Sequence, residues 1–138
     1  MVKLILGLKG SGKTKQLIQD INEAVKNESG SMVCIEKGTK LRYDIDIRVR
    51  LIDYQEYTIG SMDRLKGFIS GLHAGNFDIS HMFIDSLYKL LTDPSVADIE
   101  DFVLWCEKFG ATHDISFTIA VSEDPAKVPE SVKAFLQQ

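Results

Sequence analysis

A short apolar run, Val2-Lys3-Leu4-Ile5-Leu6, is broken by Gly7-Leu8-Lys9-Gly10-Ser11-Gly12-Lys13-Thr14, and an amphipathic pattern follows at once. The run is long enough for a buried strand and too short for a helix. Leu17, Ile18, Ile21, Ala24 and Val25 then recur as one helical stripe from a start near Gly12. Strand, glycine turn and helix in direct succession confine the chain to α/β architectures with the turn at a strand's carboxyl end.

The turn has the spacing G-x-x-x-x-G-K-[ST], the phosphate-binding P-loop pattern, in the strand-before, helix-after context that gives it meaning. Polyphosphates need donors on several sides, and backbone N–H groups supply them most densely. Gly7, Gly10, Ser11 and Gly12 are the candidate cradle, since glycines can take positive φ and bring the main chain close to an anion. The following helix adds unpaired N–H groups and the positive end of its dipole. Lys13 is expected to reach the outer phosphates, and the Thr14 hydroxyl to take one position on Mg²⁺.

A chain of 138 residues with 44% apolar and 26% charged content reads as one globular domain. It has no apolar run near the roughly 20 residues that span a bilayer. The apolar start is shorter than a secretory core segment, so a cytoplasmic location is expected. The net charge of −4 gives no indication of nucleic-acid binding. Cys34 and Cys106 sit inside apolar patterns as buried small residues, and His73, His81 and His113 are scattered singly, so no zinc site is expected.

Met32-Val33-Cys34-Ile35 is apolar on both faces, as in a parallel strand covered by helices, and it ends in Glu36. Residues 43–51 alternate instead, with Tyr43, Ile45, Ile47, Val49 and Leu51 on one side and Asp44, Asp46, Arg48 and Arg50 on the other. That pattern predicts a half-exposed strand or ribbon near residues 43–54, with its charged face solvated or meeting a partner. Met62, Leu65, Ile69 and Leu72 mark a helix opened by Ser61. Met82-Phe83-Ile84 before Asp85 is another buried strand. Val96, Ile99, Val103 and Cys106 mark a helix opened near Ser95 and closed by Gly110. Residues 115–121 form a further strand, and a last helix begins about Pro129. The prediction is a three-layer α/β/α sandwich around a mainly parallel sheet.

Three strand ends then carry chemistry: the glycine loop, Glu36 and Asp85. A hydrophobic strand ending in Asp is the Walker B pattern, whose carboxylate helps hold Mg²⁺. Ser86 stands where many ATPases carry a second carboxylate, which leaves Glu36 as the candidate to position water.

Together, loop 7–14, Glu36 after Met32-Val33-Cys34-Ile35, and Phe83-Ile84-Asp85-Ser86-Leu87 resemble the ATPase core of the RecA and KaiC group over roughly residues 1–122. The loop is similar as well to that of the pilus-retraction and secretion ATPases, without a trace of their further domain or histidine motif. The resemblance implies a strand at 115–121 lying between the loop's strand and the Asp85 strand. It also implies a polar residue there, Ser122 or Thr118, near the outermost phosphate. The chain is shorter than a full RecA-type core and lacks the elements that bind DNA there, so strand exchange does not carry over.

The expectation is therefore an ATP-binding protein with Mg²⁺, a weak or partner-dependent ATPase in which Lys13 and Glu36 are the catalytic candidates. An arginine finger would come from Arg42, Arg48, Arg50 or Arg64 of a homo-oligomer. The alternative is a nucleotide-gated interaction module with little hydrolysis and a protein partner. A small-molecule kinase ranks third, since no arginine follows Asp85 to serve a lid. GTP is not the expected ligand, because no Asn/Thr-Lys-x-Asp motif is present.

Overall fold

In the computed structural model, which describes residues 1–137, the apolar runs become five strands of one sheet. These are β1 (Val2–Gly7), β2 (Ser31–Glu36), β3 (Val49–Asp53), β4 (Ile79–Ile84) and β5 (Ser116–Ser122). Their order is β1-β5-β4-β2-β3, and every neighbouring pair is parallel. Four helices connect or flank them: α1 (Lys13–Asn27), α2 (Met62–Gly75), α3 (Val96–His113) and α4 (Glu130–Lys133). The strand at 115–121 thus lies between the loop's strand and the Asp85 strand.

Both sheet faces are apolar because both are covered. Ile5, Cys34, Phe83 and Ala120 pack with Leu17 and Ile21 of α1. Their strand neighbours Leu4, Ile35, Ile84 and Ile119 turn the other way, onto Leu65 of α2 and Phe102 and Val103 of α3. Period-two alternation within continuous apolar runs yields the three-layer α/β/α sandwich. At the β1 edge the chain's last described residues pair with Leu4, whose N–H donates to Phe135 O at 2.7 Å and whose carbonyl accepts from Gln137 N at 2.9 Å. No helix among the described residues is long and apolar enough to cross a membrane.

The alternating stretch is strand only from Val49, while 43–48 is a series of turns with Tyr43 and Ile47 almost fully exposed. The reason is topological. β2 and β3 are parallel, so the chain must return the length of the sheet before β3 begins, and such a crossover takes about a dozen residues. Residues 37–48 make that return over the α1 face, anchored by buried Leu41. Asn22 of α1 holds the segment by donating to Asp44 O at 3.0 Å and accepting from Asp46 N at 3.2 Å. Gly110 does not close α3, which continues to His113 and stops where Asp114 takes φ 57°. The last helix is a single turn, with Pro129 before it.

Candidate functional site

The loop after β1 is held in shape by its glycines. Gly10 and Gly12 have φ of 85° and 89°, and a Cβ on Gly7 would sit 2.1 Å from Ser11 Oγ. Gly12 is the left-handed N-cap of α1, with no side chain bonded to the cap and no acidic residue in the first turn. That end of the helix therefore presents N–H groups and a positive dipole end without an internal counter-charge. Lys13 folds back across the loop, its Nζ donating to Leu8 O at 3.2 Å. Partial burial lowers the Lys13 pKa, and the Asp85 charge opposes that shift.

Two carboxylates stand at neighbouring strand ends. Glu36, the last residue of β2, is 3% exposed, and its Oε2 accepts from Leu41 N at 3.3 Å. Burial raises its pKa; the Leu41 amide pulls it down and Asp85 pushes it up. Asp85 follows β4 and is fixed by its own N–H, which donates to Ile35 O at 2.9 Å. Burial raises Asp85 too, against the pull of Lys89, the Ser86 hydroxyl, Lys13 and Lys40. Ser86, directly after it, takes the left-handed conformation with φ 61°, which strains a non-glycine residue beside the carboxylate.

Thr14, Glu36 and Asp85 line a single cleft of about 100 Å³ with Lys37, Lys40, Leu41, Ser86 and Lys89. The Thr14 hydroxyl and Asp85 carboxylate are hard oxygen donors of the kind Mg²⁺ takes. Among the described residues no three His, Cys, Asp or Glu groups could hold a metal by themselves. The donor set fits an ion that draws one or two ligands from protein and the rest from phosphate and water.

Ser122 lies opposite Gly7 in the β1–β5 register, at the same end of the sheet. Thr118 does not: it lies opposite Lys3, toward the other end, and is 1% exposed. Its Oγ1 is 2.8 Å from His81 Nε2, while His81 Nδ1 is 2.9 Å from Glu28 Oε2. Of the two residues considered for the outermost phosphate, only Ser122 is at the loop's end of the sheet.

No arginine lines this cleft. Arg48 donates to Val25 O, Glu28 O and Gly30 O at 2.7–2.9 Å. Arg50 lines a hollow with Ser31 and Ile79, at the sheet's amino end, and Arg42 lines another with Ile45 and Ile47. The sequence reading missed Lys89, four residues after Asp85, because its approach depends on a 3₁₀ turn at Leu87–Leu90 that no pattern announced. It also missed Asp53, which looked like the end of an exposed ribbon. Cys34 and Cys106 are free and buried. His73 and His113, isolated in sequence, meet across α2 and α3 with ring centroids 4.4 Å apart.

No protein-family model and no curated protein matches this chain.

Proposed function

We propose that the protein binds ATP with magnesium at loop 7–14 and hydrolyses it slowly. The observation that supports this most is convergence. A glycine loop opening a helix, an aspartate and a buried glutamate meet at the carboxyl edge of one parallel sheet, where open α/β sheets take their ligands. The amides of the loop and of the first turn of α1 hold the phosphates, and Lys13 leaves the Leu8 carbonyl for the outer ones. Thr14 and Asp85 hold Mg²⁺, which when bound supplies charge neutralisation to the phosphates. Glu36 orients the attacking water. As water adds to the γ-phosphorus, that atom's bond to the bridging oxygen breaks, giving ADP and phosphate. One water proton stays on the phosphate and the other leaves through Glu36. Positioning and charge stabilisation account for catalysis of this type.

A second reading is a nucleotide-gated interaction module. It is favoured by Ser86 standing in place of a carboxylate, and by Tyr43 and Ile47 lying exposed on the crossover. Glu36→Gln separates the two: a drop in phosphate release supports hydrolysis, and an unchanged near-zero rate supports the module.

The first test is thermal melting with ATP, ADP, GTP or no nucleotide, with and without Mg²⁺, on wild type and Lys13→Ala. Saturation at 100 times the dissociation constant stabilises by about 2.7 kcal/mol, a shift of several degrees for a domain of this size. A magnesium-dependent ATP shift that Lys13→Ala abolishes supports the reading, and no shift with any nucleotide at millimolar concentration overturns it.

A further inference from the structure

A triphosphate in this cleft meets lysines and no arginine, and one of those lysines is held differently from the others. Lys37 and Lys40 lie on the crossover after β2, whereas Lys89 sits on the 3₁₀ turn after Asp85, between Leu87 and Leu90, which are both buried. Its backbone is tied on both sides of the residue: Lys89 N donates to Ser86 O at 2.9 Å, and the Tyr54 hydroxyl donates to Lys89 O. The side chain is exposed toward the cleft and makes no ion pair among the described residues. A fixed backbone with an uncommitted ammonium is the arrangement that lets a cation meet charge arriving with a ligand at little reorganisation.

We infer that Lys89 is a catalytic residue supplied within the same chain, placing its ammonium on the γ-phosphate oxygens as charge develops there, so that no second subunit is needed to complete the site. The inference rests on the nucleotide reading above and adds to it the source of the missing cation.

The test compares wild type, Lys89→Ala and Lys89→Arg, each first checked for an unchanged melting temperature without nucleotide. Three readouts are taken: phosphate release as kcat and KM, affinity for a fluorescent ATP analogue, and affinity for ADP with aluminium fluoride. Lys89→Ala should lower kcat about 10²–10³-fold, the range for loss of one preorganised transition-state partner. KM and ATP-analogue affinity should stay within about threefold, because the interaction belongs to the transition state. Affinity for ADP–aluminium fluoride should fall with kcat, and Lys89→Arg should recover part of both. Specific activity should not depend on protein concentration. Wild-type kcat in Lys89→Ala overturns the inference, as does an activity that rises with protein concentration and is restored to Lys89→Ala by adding Lys13→Ala protein. ATP binding without hydrolysis in wild type overturns the role of Lys89 and leaves nucleotide binding standing. Absence of ATP binding in wild type overturns both.

Discussion

The carboxylate of Asp53, at the end of edge strand β3, accepts the N–H of Gly38 at 2.8 Å. The same Oδ1 accepts from Gln55 N at 3.0 Å, so one side chain ties the start of the crossover to the turn that carries Tyr54. Gly38 has φ 91°, which lets the chain turn sharply after Glu36 and come back so that Leu41 N reaches the Glu36 carboxylate. Glu36 is therefore aimed by a residue on a neighbouring strand.

Asp53→Ala should cost about 1–2 kcal/mol, the usual size for losing a charged acceptor, here one shared by the Gly38 and Gln55 backbone donors. Hydrogen exchange at the Gly38 amide should accelerate while β5 amides keep their protection. Asp53→Asn, which preserves an acceptor oxygen, should restore most of the stability. Equal exchange at Gly38 in Asp53→Ala and wild type would show that the tie holds nothing.

Glu36 and Asp85 predict an unusual pH dependence. Burial raises both above the ordinary carboxylate value near 4, so between that value and the raised one the folded protein binds more protons than the unfolded chain. Stability from these groups is fully present below that window and falls as pH rises through it. Asp85→Asn should flatten the fall and melt higher than wild type at pH 7, while losing any magnesium-dependent shift with ATP. Denaturant melts of both proteins from pH 4 to pH 8 check the sign, and a mutant less stable than wild type at pH 7 would contradict it.

His81 acts in the opposite direction. Burial holds its pKa down, the hydrogen bond and charge of Glu28 push it up, and Lys3 and the amino terminus lower it further. Its imidazole stacks on Phe83 at 4.0 Å, with Nδ1–H donating to Glu28 and Nε2 accepting from Thr118. The unfolded chain binds the proton more readily, so this contribution is complete above about pH 6.5 and is lost as pH falls below it. Glu28→Gln should steepen the loss between pH 6.5 and pH 5, and His81→Gln should remove it. Parallel urea titrations would reveal whether the wild-type slope survives in His81→Gln, which would assign it to other groups.

The sheet was readable because four of its strands are covered on both faces, and continuous apolar runs such as Met32-Val33-Cys34-Ile35 have few other uses. That loop 7–14, Glu36 and Asp85 stand at strand ends was readable because each closes or follows such a run. What escaped is what tertiary context decides. The alternation through residues 43–51 follows local order, but a parallel β2–β3 pair needs that chain for its return path. Lys89 and Asp53 carry ordinary surface identities, and their part at the site comes from a 3₁₀ turn and a neighbouring strand end. Thr118 and Ser122 share β5, and only the register with β1 tells that Ser122 is at the loop's end and Thr118 is not.

Gly110 offers a prediction in which two effects compete. In a helix interior, Gly→Ala ordinarily gains about 1 kcal/mol from propensity. Here α3 ends three residues later, Asp114 turns the chain in a left-handed conformation, and Ile115 N returns to Gly110 O at 3.0 Å. The closing turn lies so near the helix that a Cβ on Gly110 would stand 2.4 Å from Ile115 O. A backbone carbonyl cannot rotate aside as a side chain can, so overpacking of about 1–3 kcal/mol outweighs the gain, and Gly110→Ala should be destabilised. Gly67, in the exposed middle of α2, has nothing within 4 Å of the position its Cβ would take, so Gly67→Ala should be stabilised by roughly 0.5–1 kcal/mol. Urea melts of the two variants should therefore move in opposite directions, and a stabilised Gly110→Ala would mean that α3 and β5 are not joined by this close turn.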